Sequence, residues 1–249
     1  MVFYHFMAPQ SSKSPFEKPG FPMRINKYLA MKGFSTRRGA DELIARRKVT
    51  INGKQAELGS KVEEGDSVKV AGGKDVKGFR YFAYYKPLGV ITSLAGEGEE
   101  DIMSKVRIPG VFPLGRLDKN SQGLIILTDD GRITDRLLNP ENAHEKEYLV
   151  KVKDKLRSSF EAKMEKGVNI EGYITKPCRV EIVNENSFKV ILTEGKKHQI
   201  RRMCVALFQE VSDLKRIRIE NITLGSLKPG AYRPIEGAEL ALFLKKLGL

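Results

Sequence analysis

One carboxylate, Asp118, lies between two cations, Arg116 and Lys119, in a polar segment that precedes the apolar run 123–127. A cation within a few ångströms lowers the pKa of a carboxyl group by roughly 1–3 units, which keeps the group ionised at neutral pH. A loop that a core strand fixes in place is also where reacting groups are usually presented. The alternative is that Asp118 caps a turn and that the two cations are ordinary surface charges.

A basic helix face is the second set of side chains that could do chemistry. In the segment 198–203, helical spacing places His198, Arg201 and Arg202 on one face, opposite an apolar face. Two guanidinium groups near a helix start are suited to binding a phosphate or a carboxylate. The alternative is a basic helix that only faces solvent.

Two further residues are candidates on weaker grounds. Tyr148 lies in the alternating stretch 147–152, so it is either a core residue whose hydroxyl needs a partner or a residue of the site. Lys86 ends a predicted strand at Lys-Pro-Leu-Gly, where Pro87 removes a donor and Gly89 permits a tight turn. The pattern predicts that a loop edge holds the Lys86 ammonium group.

Regular elements must position these side chains. The run 123–127 is bounded by Asp-Asp-Gly and predicts a buried strand, with Asp129 and Asp130 as turn residues. Strands and helices interleave without regular βαβ spacing, which predicts an α+β fold with a mixed, mainly antiparallel sheet and a cleft across it. The other predicted elements are strands around 82–85, 147–152, 179–183, 188–192 and 215–219, and helices within 133–138, 156–167, 198–207 and 240–247.

The N-terminal part has a pattern of its own. Apolar residues recur at helical spacing after Met23, Gly33 interrupts them, and Thr36 can cap a second helix whose outer face is rich in arginine. The strand 49–51 then runs into Asn-Gly, the strongest short-range signal for a hairpin. Two short helices on a small sheet are therefore expected here.

Composition divides the chain into four parts: a loosely ordered tail 1–21, a small domain 22–71, a linker 72–79 and a large domain 80–249. Met7 and Met23 are alternative starts. The acidic stretch 97–101 is predicted to be a solvent loop away from any bound polyanion, because its carboxylates would repel phosphates.

The bulk properties favour a polyanionic partner. Of the 249 residues, 41% are hydrophobic and 30% charged, which are values typical of a globular protein. The net charge of +13 fits nucleic acid, the commonest polyanionic partner, and it also fits an anionic membrane surface or mere solubility. No apolar run approaches the ~20 residues that a bilayer span needs. The two cysteines lie far apart and the three histidines share no ligand spacing, so we expect reduced thiols, no metal, no cofactor and a cytoplasmic location.

Several motifs resemble one family. Gly-Arg-Leu-Asp at 115–118 and Ser-Gln-Gly-Leu-Ile-Ile-Leu-Thr-Asp-Asp-Gly at 121–131 resemble the signature of the pseudouridine synthases that act on bacterial ribosomal RNA. Lys-Pro-x-Gly at 86–89, Glu-Lys-x-Tyr at 145–148 and His-Gln-Ile-Arg at 198–201 resemble further motifs of that family. The segment 22–71 resembles the S4 RNA-binding domain, and it departs at Arg47-Lys48, where that domain usually turns on a glycine.

This resemblance implies roles for the site residues. Asp118 would be the nucleophile, Arg201 would pair with it, and Tyr148 would lie against the flipped base and assist proton transfer. The base never leaves the pocket in this reaction, so one carboxylate can serve where glycosidases usually need two. The residues implied to contact RNA are cationic: Arg24, Lys27, Arg37, Arg38, Lys86, Arg116, Lys119 and Arg202.

The resemblance is greatest to the RluF branch of the family. It implies an enzyme that modifies 23S rather than 16S ribosomal RNA, with a tRNA anticodon uridine as a further substrate, whereas His198 fits other branches better. Separately from the resemblance, we expect a monomer. A non-catalytic RNA-binding or ribosome-assembly factor on the same fold is the first rival. The second is an RNA-processing hydrolase that uses Asp118 as a base, which would normally need a metal cluster or a second acid–base group.

Overall fold

The computed structural model of the protein describes residues 20–32, 34–71, 79–92 and 100–249. Most of the predicted tail, of the predicted linker and of the predicted acidic loop lies outside these ranges. Asp101, at the end of that loop, accepts a hydrogen bond from Ser104 N (2.8 Å) and so caps a short helix.

The small domain contains two helices and five short strands. Its apolar core consists of Ile25, Leu29, Ala40, Ile44, Val49, Ala56 and Val62. Thr36 accepts a hydrogen bond from Gly39 N (3.0 Å), as predicted for a helix cap. The elements are β1 (Met23–Arg24), α1 (Ile25–Met31), α2 (Arg37–Ala45), β2 (Val49–Ile51), β3 (Lys54–Gln55), β4 (Lys61–Val62) and β5 (Val68–Val70).

The turn between α2 and β2 keeps the geometry that a glycine would favour. Arg47 adopts the left-handed conformation with φ 55°, which costs a residue with a side chain roughly 1–3 kcal/mol. Arg47 therefore takes the strained backbone conformation that a glycine would adopt without cost, and α2 still leads into β2. The Asn-Gly hairpin is confirmed, because β2 pairs with β3 across residues 52 and 53.

A nine-stranded mixed sheet organises the large domain. Its elements are β6 (Tyr81–Lys86), α3 (Ile102–Lys105), β7 (Phe112–Leu114), β8 (Gln122–Thr128), α4 (Ile133–Leu138), β9 (Lys146–Val152), α5 (Phe160–Glu165), β12 (Arg179–Asn184), β13 (Ser187–Leu192), α6 (Gln199–Ala206), β14 (Val211–Ile219), β15 (Ile222–Thr223), β16 (Tyr232–Pro234) and α7 (Gly237–Lys246), with the separate hairpin β10 (Asn169–Ile170) and β11 (Tyr173–Ile174). The α+β prediction is confirmed. Along the sheet the strand order is β12-β13-β9-β14-β8-β6-β16, while β7 pairs with β8 and β15 pairs with β14.

Two halves of this sheet meet at one short junction. Strand β14 runs parallel to β8 over two residue pairs, Lys215–Gln122 and Arg216–Gly123. Every other pairing between the named strands of the described chain is antiparallel. We call the two parallel pairs, Lys215–Gln122 and Arg216–Gly123, the parallel junction. One half of the sheet contains β6, β7, β8 and β16, and the other contains β9 and β12 to β15.

Tyr148 lies where two apolar clusters meet. One cluster forms under α5 and α6 around Phe160, Phe188 and Met203, and the other contains Tyr84 and Ile125. Tyr148 is partly buried and packs against both clusters. Its ring is therefore held by apolar contacts from both halves of the sheet.

Some details differ from the sequence prediction. Helix α5 begins at Phe160, so Leu156 precedes the helix, although Phe160 and Met164 are buried as expected. Asp130 is fully buried rather than a simple turn residue, because it accepts hydrogen bonds from Tyr81 and Arg132. Burial and this carboxylate together raise the pKa of the Tyr81 hydroxyl.

Candidate active site

Asp118 lies in a tight loop between β7 and β8. The backbone closes the loop with a bond from Ser121 N to Asp118 O (3.0 Å), and Leu117 exchanges hydrogen bonds with the Thr92 hydroxyl at 2.7 and 3.0 Å. The turn after β6 also contributes, since Gly89 N donates to Lys119 O (2.9 Å). The carboxylate itself is 42% exposed. The loop is thus fixed by its backbone while its acid stays accessible.

Lys86 supports this loop from below. Its ammonium donates to Ser121 O (2.7 Å) and Pro87 O (2.9 Å), and the side chain is completely buried. This corrects the expectation that Lys86 contacts a phosphate, because no ligand reaches an ammonium group that is enclosed in this way. Burial lowers the pKa of Lys86 to about 8; Asp118 opposes this shift and the Arg216 guanidinium adds to it.

Arg201 also holds the loop rather than the acid. Its guanidinium donates to Asn120 O (2.6 Å) and to Val211 O (3.2 Å). Among the described residues Arg201 forms no ion pair with Asp118, which corrects the pairing that the family resemblance implied. One arginine side chain therefore links the Asp118 loop to the start of β14, and its charge remains near the acid.

The ionisable side chain of His198 lies next to Asp118. The two atoms, His198 Nε2 and Asp118 Oδ1, are 3.5 Å apart, and the histidine is 48% exposed. His198 precedes α6 in the left-handed conformation, with φ 52°. Such a conformation is uncommon for a residue other than glycine, and it turns the side chain away from the direction that a helical residue would take.

A buried network fixes the start of α6. Glu194 is 3% exposed and accepts hydrogen bonds from the Tyr173 hydroxyl, from Lys176 N (2.9 Å) and from Gln199 Nε2 (2.8 Å). Gln199 in turn accepts a bond from Lys196 N (2.9 Å). The carboxylate ties the first residue of α6 to the β10–β11 hairpin region, and so it sets the position of His198 and Arg201.

A row of paired residues crosses five neighbouring strands of the sheet. Cα pairing aligns Lys86, Gly123, Arg216, Tyr148 and Val190 on neighbouring strands. Paired residues point to the same face of a sheet. The side chains of Tyr148 and Lys86 therefore point to the same face of the sheet.

Gly123 makes the parallel junction possible. A Cβ atom at this position would lie 2.3 Å from Arg216 O and 2.7 Å from Arg216 N, and the φ angle is +111°. Only a residue without a side chain allows β8 and β14 to approach this closely. The glycine follows the Asp118 loop, so the close approach places that loop against the strand that carries Arg216.

Arg216 is a buried cation that the sequence did not single out. It is 3% exposed, its Nε donates to Leu124 O (2.7 Å), and its Nη2 finds no acceptor in the described part of the chain. The basic–apolar alternation of 215–219 predicts a strand with Arg216 and Arg218 on one face. Instead a β-bulge separates them, and Arg218 bonds to Glu147 (2.6 Å) and Glu145 (3.1 Å).

The predicted RNA contacts differ in how open they are. Arg116 and Lys119 are exposed beside Asp118, and Arg24, Lys27, Arg37 and Arg38 are exposed on the small domain. Arg202 is occupied by protein, because it donates to Ile170 O (2.8 Å) and to Glu171 (2.7 Å). Six of the predicted contact residues thus present their charge to solvent.

No group of three or more metal-ligating side chains occurs within residues 20–32, 34–71, 79–92 and 100–249. None of the helices in these ranges is long and apolar enough to span a bilayer. Both cysteines are free thiols, and burial raises the pKa of Cys178 to about 11 and that of Cys204 to about 12. The free thiols agree with the expected reduced state.

Comparison with known proteins identifies the family. Residues 80–206 match the family model described as RNA pseudouridylate synthase, and residues 23–68 match the model of the S4 domain. The chain is 38% identical over 227 residues to the dual-specificity RNA pseudouridine synthase RluF of Escherichia coli (strain K12), which covers 89% of this chain and 78% of the relative.

Two other matches agree. An uncharacterized RNA pseudouridine synthase of Aquifex aeolicus (strain VF5) is 37% identical over 238 residues, covering 91% of this chain and 96% of the relative. A crystal structure of a pseudouridylate synthase superposes with a TM-score of 0.66 at 29% identity, covering 90% of this chain and 99% of that chain. The chain therefore belongs to the RsuA-type RNA pseudouridine synthases, is RluF-like, carries an S4 RNA-binding domain, and is an enzyme that isomerises uridine to pseudouridine in RNA.

Proposed function

We propose that this enzyme converts one specific uridine of 23S ribosomal RNA to pseudouridine, acting as a monomer in the cytoplasm, with Asp118 as the nucleophile. The observation that carries the proposal is the Asp118 loop: its backbone is fixed by Ser121, Thr92, Lys86 and Arg201, while the carboxylate is 42% exposed. A rigid loop that presents an accessible acid is what covalent catalysis requires.

The reaction breaks the bond between ribose C1′ and uracil N1, turns the base, and joins C1′ to C5. Asp118 supplies the carboxylate that faces the reacting sugar and base. Lys86 and Arg201 keep positive charge near it without covering it, since both donate to loop carbonyls. The geometry is compatible with attack on C1′, with attack on the uracil ring, and with a glycal intermediate.

Tyr148 is suited to hold the flipped base. Its ring is partly buried between the two apolar clusters, so one part faces protein and another part remains open. Removing a base from its stack costs a few kcal/mol, and stacking on an aromatic ring returns about 1–3 kcal/mol. We assign Tyr148 to this stacking and to assisting the loss of the C5 proton.

The exposed cations bind the RNA backbone in this proposal. Arg116 and Lys119 flank Asp118 and would hold phosphates next to the flipped nucleotide, while Arg24, Lys27, Arg37 and Arg38 bind a second RNA segment through the small domain. Lysine and arginine side chains that neutralise phosphates release the counterions condensed on the RNA, which favours binding. A tRNA anticodon stem-loop is a second candidate substrate, because the RluF relative is described as having dual specificity.

Tritium release tests the substrate and the nucleophile together. RNA labelled with [5-³H]uridine is prepared as 23S rRNA, 16S rRNA and tRNA, and each is incubated with wild type and with Asp118→Asn. We expect release from 23S rRNA by wild type, and turnover lower by on the order of 10⁴-fold or more in the variant, as for enzymes that lose their nucleophile. The amide is isosteric, so the unfolding free energy of Asp118→Asn should stay within ~0.5 kcal/mol of wild type.

Three results would contradict parts of the proposal. Release from 16S rRNA alone would overturn the 23S assignment and leave the nucleophile in place. Release that persists in Asp118→Asn at the wild-type rate would overturn the nucleophile. Tight binding of every RNA without any release would favour the rival function of an RNA-binding factor on this fold.

A further inference from the structure

We propose that Phe208, just after α6, is a stacking platform for an unpaired nucleotide of the substrate RNA, outside the pocket that takes the reacting uridine. The inference rests on the proposed binding of RNA next to Asp118, and not on which group attacks the substrate. Phe208 is 78% exposed, the highest value among the large hydrophobic side chains in the described part of the chain. Its neighbour Val205 is 66% exposed.

The backbone at Phe208 has the geometry that usually selects glycine. Helix α6 ends with bonds from Phe208 N to Val205 O (2.9 Å) and from Gln209 N to Cys204 O (2.8 Å). These two bonds define a Schellman motif, in which the residue after the C-cap is usually a glycine in the left-handed conformation. Phe208 occupies that position with φ 60°, which makes a bulky residue a genuine outlier.

Packing does not explain a phenylalanine at this position. The left-handed backbone strains Phe208, whereas a glycine would adopt it freely. Burial of the ring would offset this strain, yet the ring lies mostly in solvent and is not part of the apolar cluster under α5 and α6. Strained residues cluster at active sites and ligand clamps. The ring is therefore a candidate for contact with a ligand.

A cation lies over one face of the ring. The Arg157 guanidinium carbon is 5.7 Å from the centroid of the Phe208 ring, within the range of a cation–π contact. Arg157 is exposed and forms no ion pair within the described ranges. Glu210, two residues after Phe208, is already paired with Lys153 (2.6 Å). The positive charge beside the ring is therefore available to a phosphate.

One side of α6 connects this ring to the Asp118 loop. Arg201, Val205 and Phe208 follow one another at spacings of four and three residues, so they lie along one side of the helix and its C-terminal turn. Arg201 donates to Asn120 O (2.6 Å) within the Asp118 loop. The 8 residues of α6 span roughly 12 Å. An RNA strand bound at Asp118 can therefore place a nucleotide a few positions away on Phe208.

An unpaired base of RNA fits this surface better than a protein partner does. Every base has a π-face that stacks on an aromatic ring, so the contact needs no particular sequence. A guanidinium group binds the phosphate of the same nucleotide, and the net charge of +13 attracts the polyanion as a whole. Two adjacent apolar side chains are far smaller than the patch that a stable protein interface buries.

Phe208→Gly separates a binding role from a structural role. Glycine relieves the strain at φ 60°, so the urea midpoint should not decrease. The dissociation constant is measured by filter binding with whichever of 23S rRNA, 16S rRNA and tRNA the wild type binds most tightly. It should rise by about fivefold or more, as for the loss of one stacked base. The slope of log affinity against log salt should stay unchanged, because no charge is removed.

A tryptophan reporter tests the contact directly. The chain contains no tryptophan, so Phe208→Trp introduces a single indole after α6, and stacking on a base should quench its fluorescence when RNA is added. Leu242 on α7 is the matched control, since it is also exposed, at 47%. Leu242→Trp should be quenched much less, and Leu242→Ala should bind RNA within twofold of wild type.

Four results would overturn the assignment. They are an RNA dissociation constant of Phe208→Gly within twofold of wild type, a lower urea midpoint in that variant, equal quenching of the two tryptophan variants, and a wild-type dimer in sedimentation that Phe208→Gly dissociates. The last result would assign the ring to a second copy of the chain. Failure of the proposed function appears separately, as wild type without tritium release from any RNA or as Asp118→Asn with normal turnover, because the binding measurements do not depend on turnover.

Discussion

Gly123→Ala should both destabilise the protein and displace Asp118, the proposed nucleophile. The new Cβ would lie 2.3 Å from Arg216 O and 2.7 Å from Arg216 N, and both are backbone atoms that cannot rotate away. Strands β8 and β14 must therefore separate by about 1 Å before an ordinary van der Waals contact is reached. The parallel junction has only two residue pairs, so little pairing remains to resist this movement.

The expected cost has two parts. Inserting a methyl group into a packed contact costs about 1–3 kcal/mol, and placing a side chain at a strained positive φ, here +111°, costs another 1–3 kcal/mol or so. The unfolding free energy should therefore fall by roughly 2–6 kcal/mol, a large part of the stability of an ordinary domain. Turnover should fall by about 10²-fold, since a shift of 1 Å misplaces the reacting groups.

Urea denaturation measures the first effect and tritium release from labelled RNA measures the second. Gly131→Ala is the control, because Gly131 follows the same strand, has nothing within 4 Å of the added Cβ and does not need a positive φ; it should stay within ~0.5 kcal/mol of wild type. A Gly123→Ala protein with an unfolding free energy within 1 kcal/mol of wild type and normal turnover would refute this account of the junction.

Three further predictions concern Lys86, Glu194 and the small domain. Because burial lowers the pKa of Lys86 from 10.5 to about 8, the charged lysine destabilises the folded state below pH 8, and this penalty disappears as pH rises to 10.5. Urea denaturation gives the unfolding free energies of wild type and of Lys86→Met. The wild-type value minus the Lys86→Met value should therefore increase by up to about 3 kcal/mol between pH 7 and pH 10.5. Glu194→Ala leaves three donors without an acceptor, and it should lower the urea-measured stability by roughly 1–3 kcal/mol or more and slow turnover. The double variant Arg37→Gln/Arg38→Gln should reduce the slope of log affinity against log salt by about 1.5 in filter-binding assays, without changing the rate of the bound complex.

Each of these has a result that would contradict it. A stability difference between wild type and Lys86→Met that stays constant from pH 7 to pH 10.5 would show that the buried, charged lysine does not destabilise the folded state. Wild-type stability in Glu194→Ala would mean that the buried carboxylate is not needed at the start of α6. An unchanged salt slope in the arginine variant, with Lys54→Gln as the exposed control on the same domain, would remove these arginines from the RNA-binding surface.

The sequence was most informative where the signal is local. The buried strand after Asp118, the Asn-Gly hairpin, the cap at Thr36 and the helix ending before Pro140 all follow from neighbouring residues, and all are present. Tyr148 was left between core and site, and it does lie at the border of two apolar clusters.

Long-range choices were not predictable in this way. The guanidinium of Arg201 meets Asn120 O instead of the Asp118 carboxylate, and this choice depends on tertiary distances that no local pattern contains. Lys86 was expected at a loop edge, but its burial follows from the packing of β6 beneath the Asp118 loop. The parallel pairing of β8 with β14 joins segments about ninety residues apart, so the buried position of Arg216 could not be inferred from its alternating neighbours.

The parallel junction also determines when a newly synthesised chain can become active. Asp118 belongs to the half of the sheet that is translated first, whereas Tyr148, His198 and Arg201 belong to the half that is complete only with β14 at residues 211–219. Strand β16, at 232–234, then returns to pair with β6, the first strand of the domain. A ribosome-bound fragment that ends before β14 holds the acid but cannot bring it to the other site residues. The proposed site residues can therefore come together only after β14 has been synthesised.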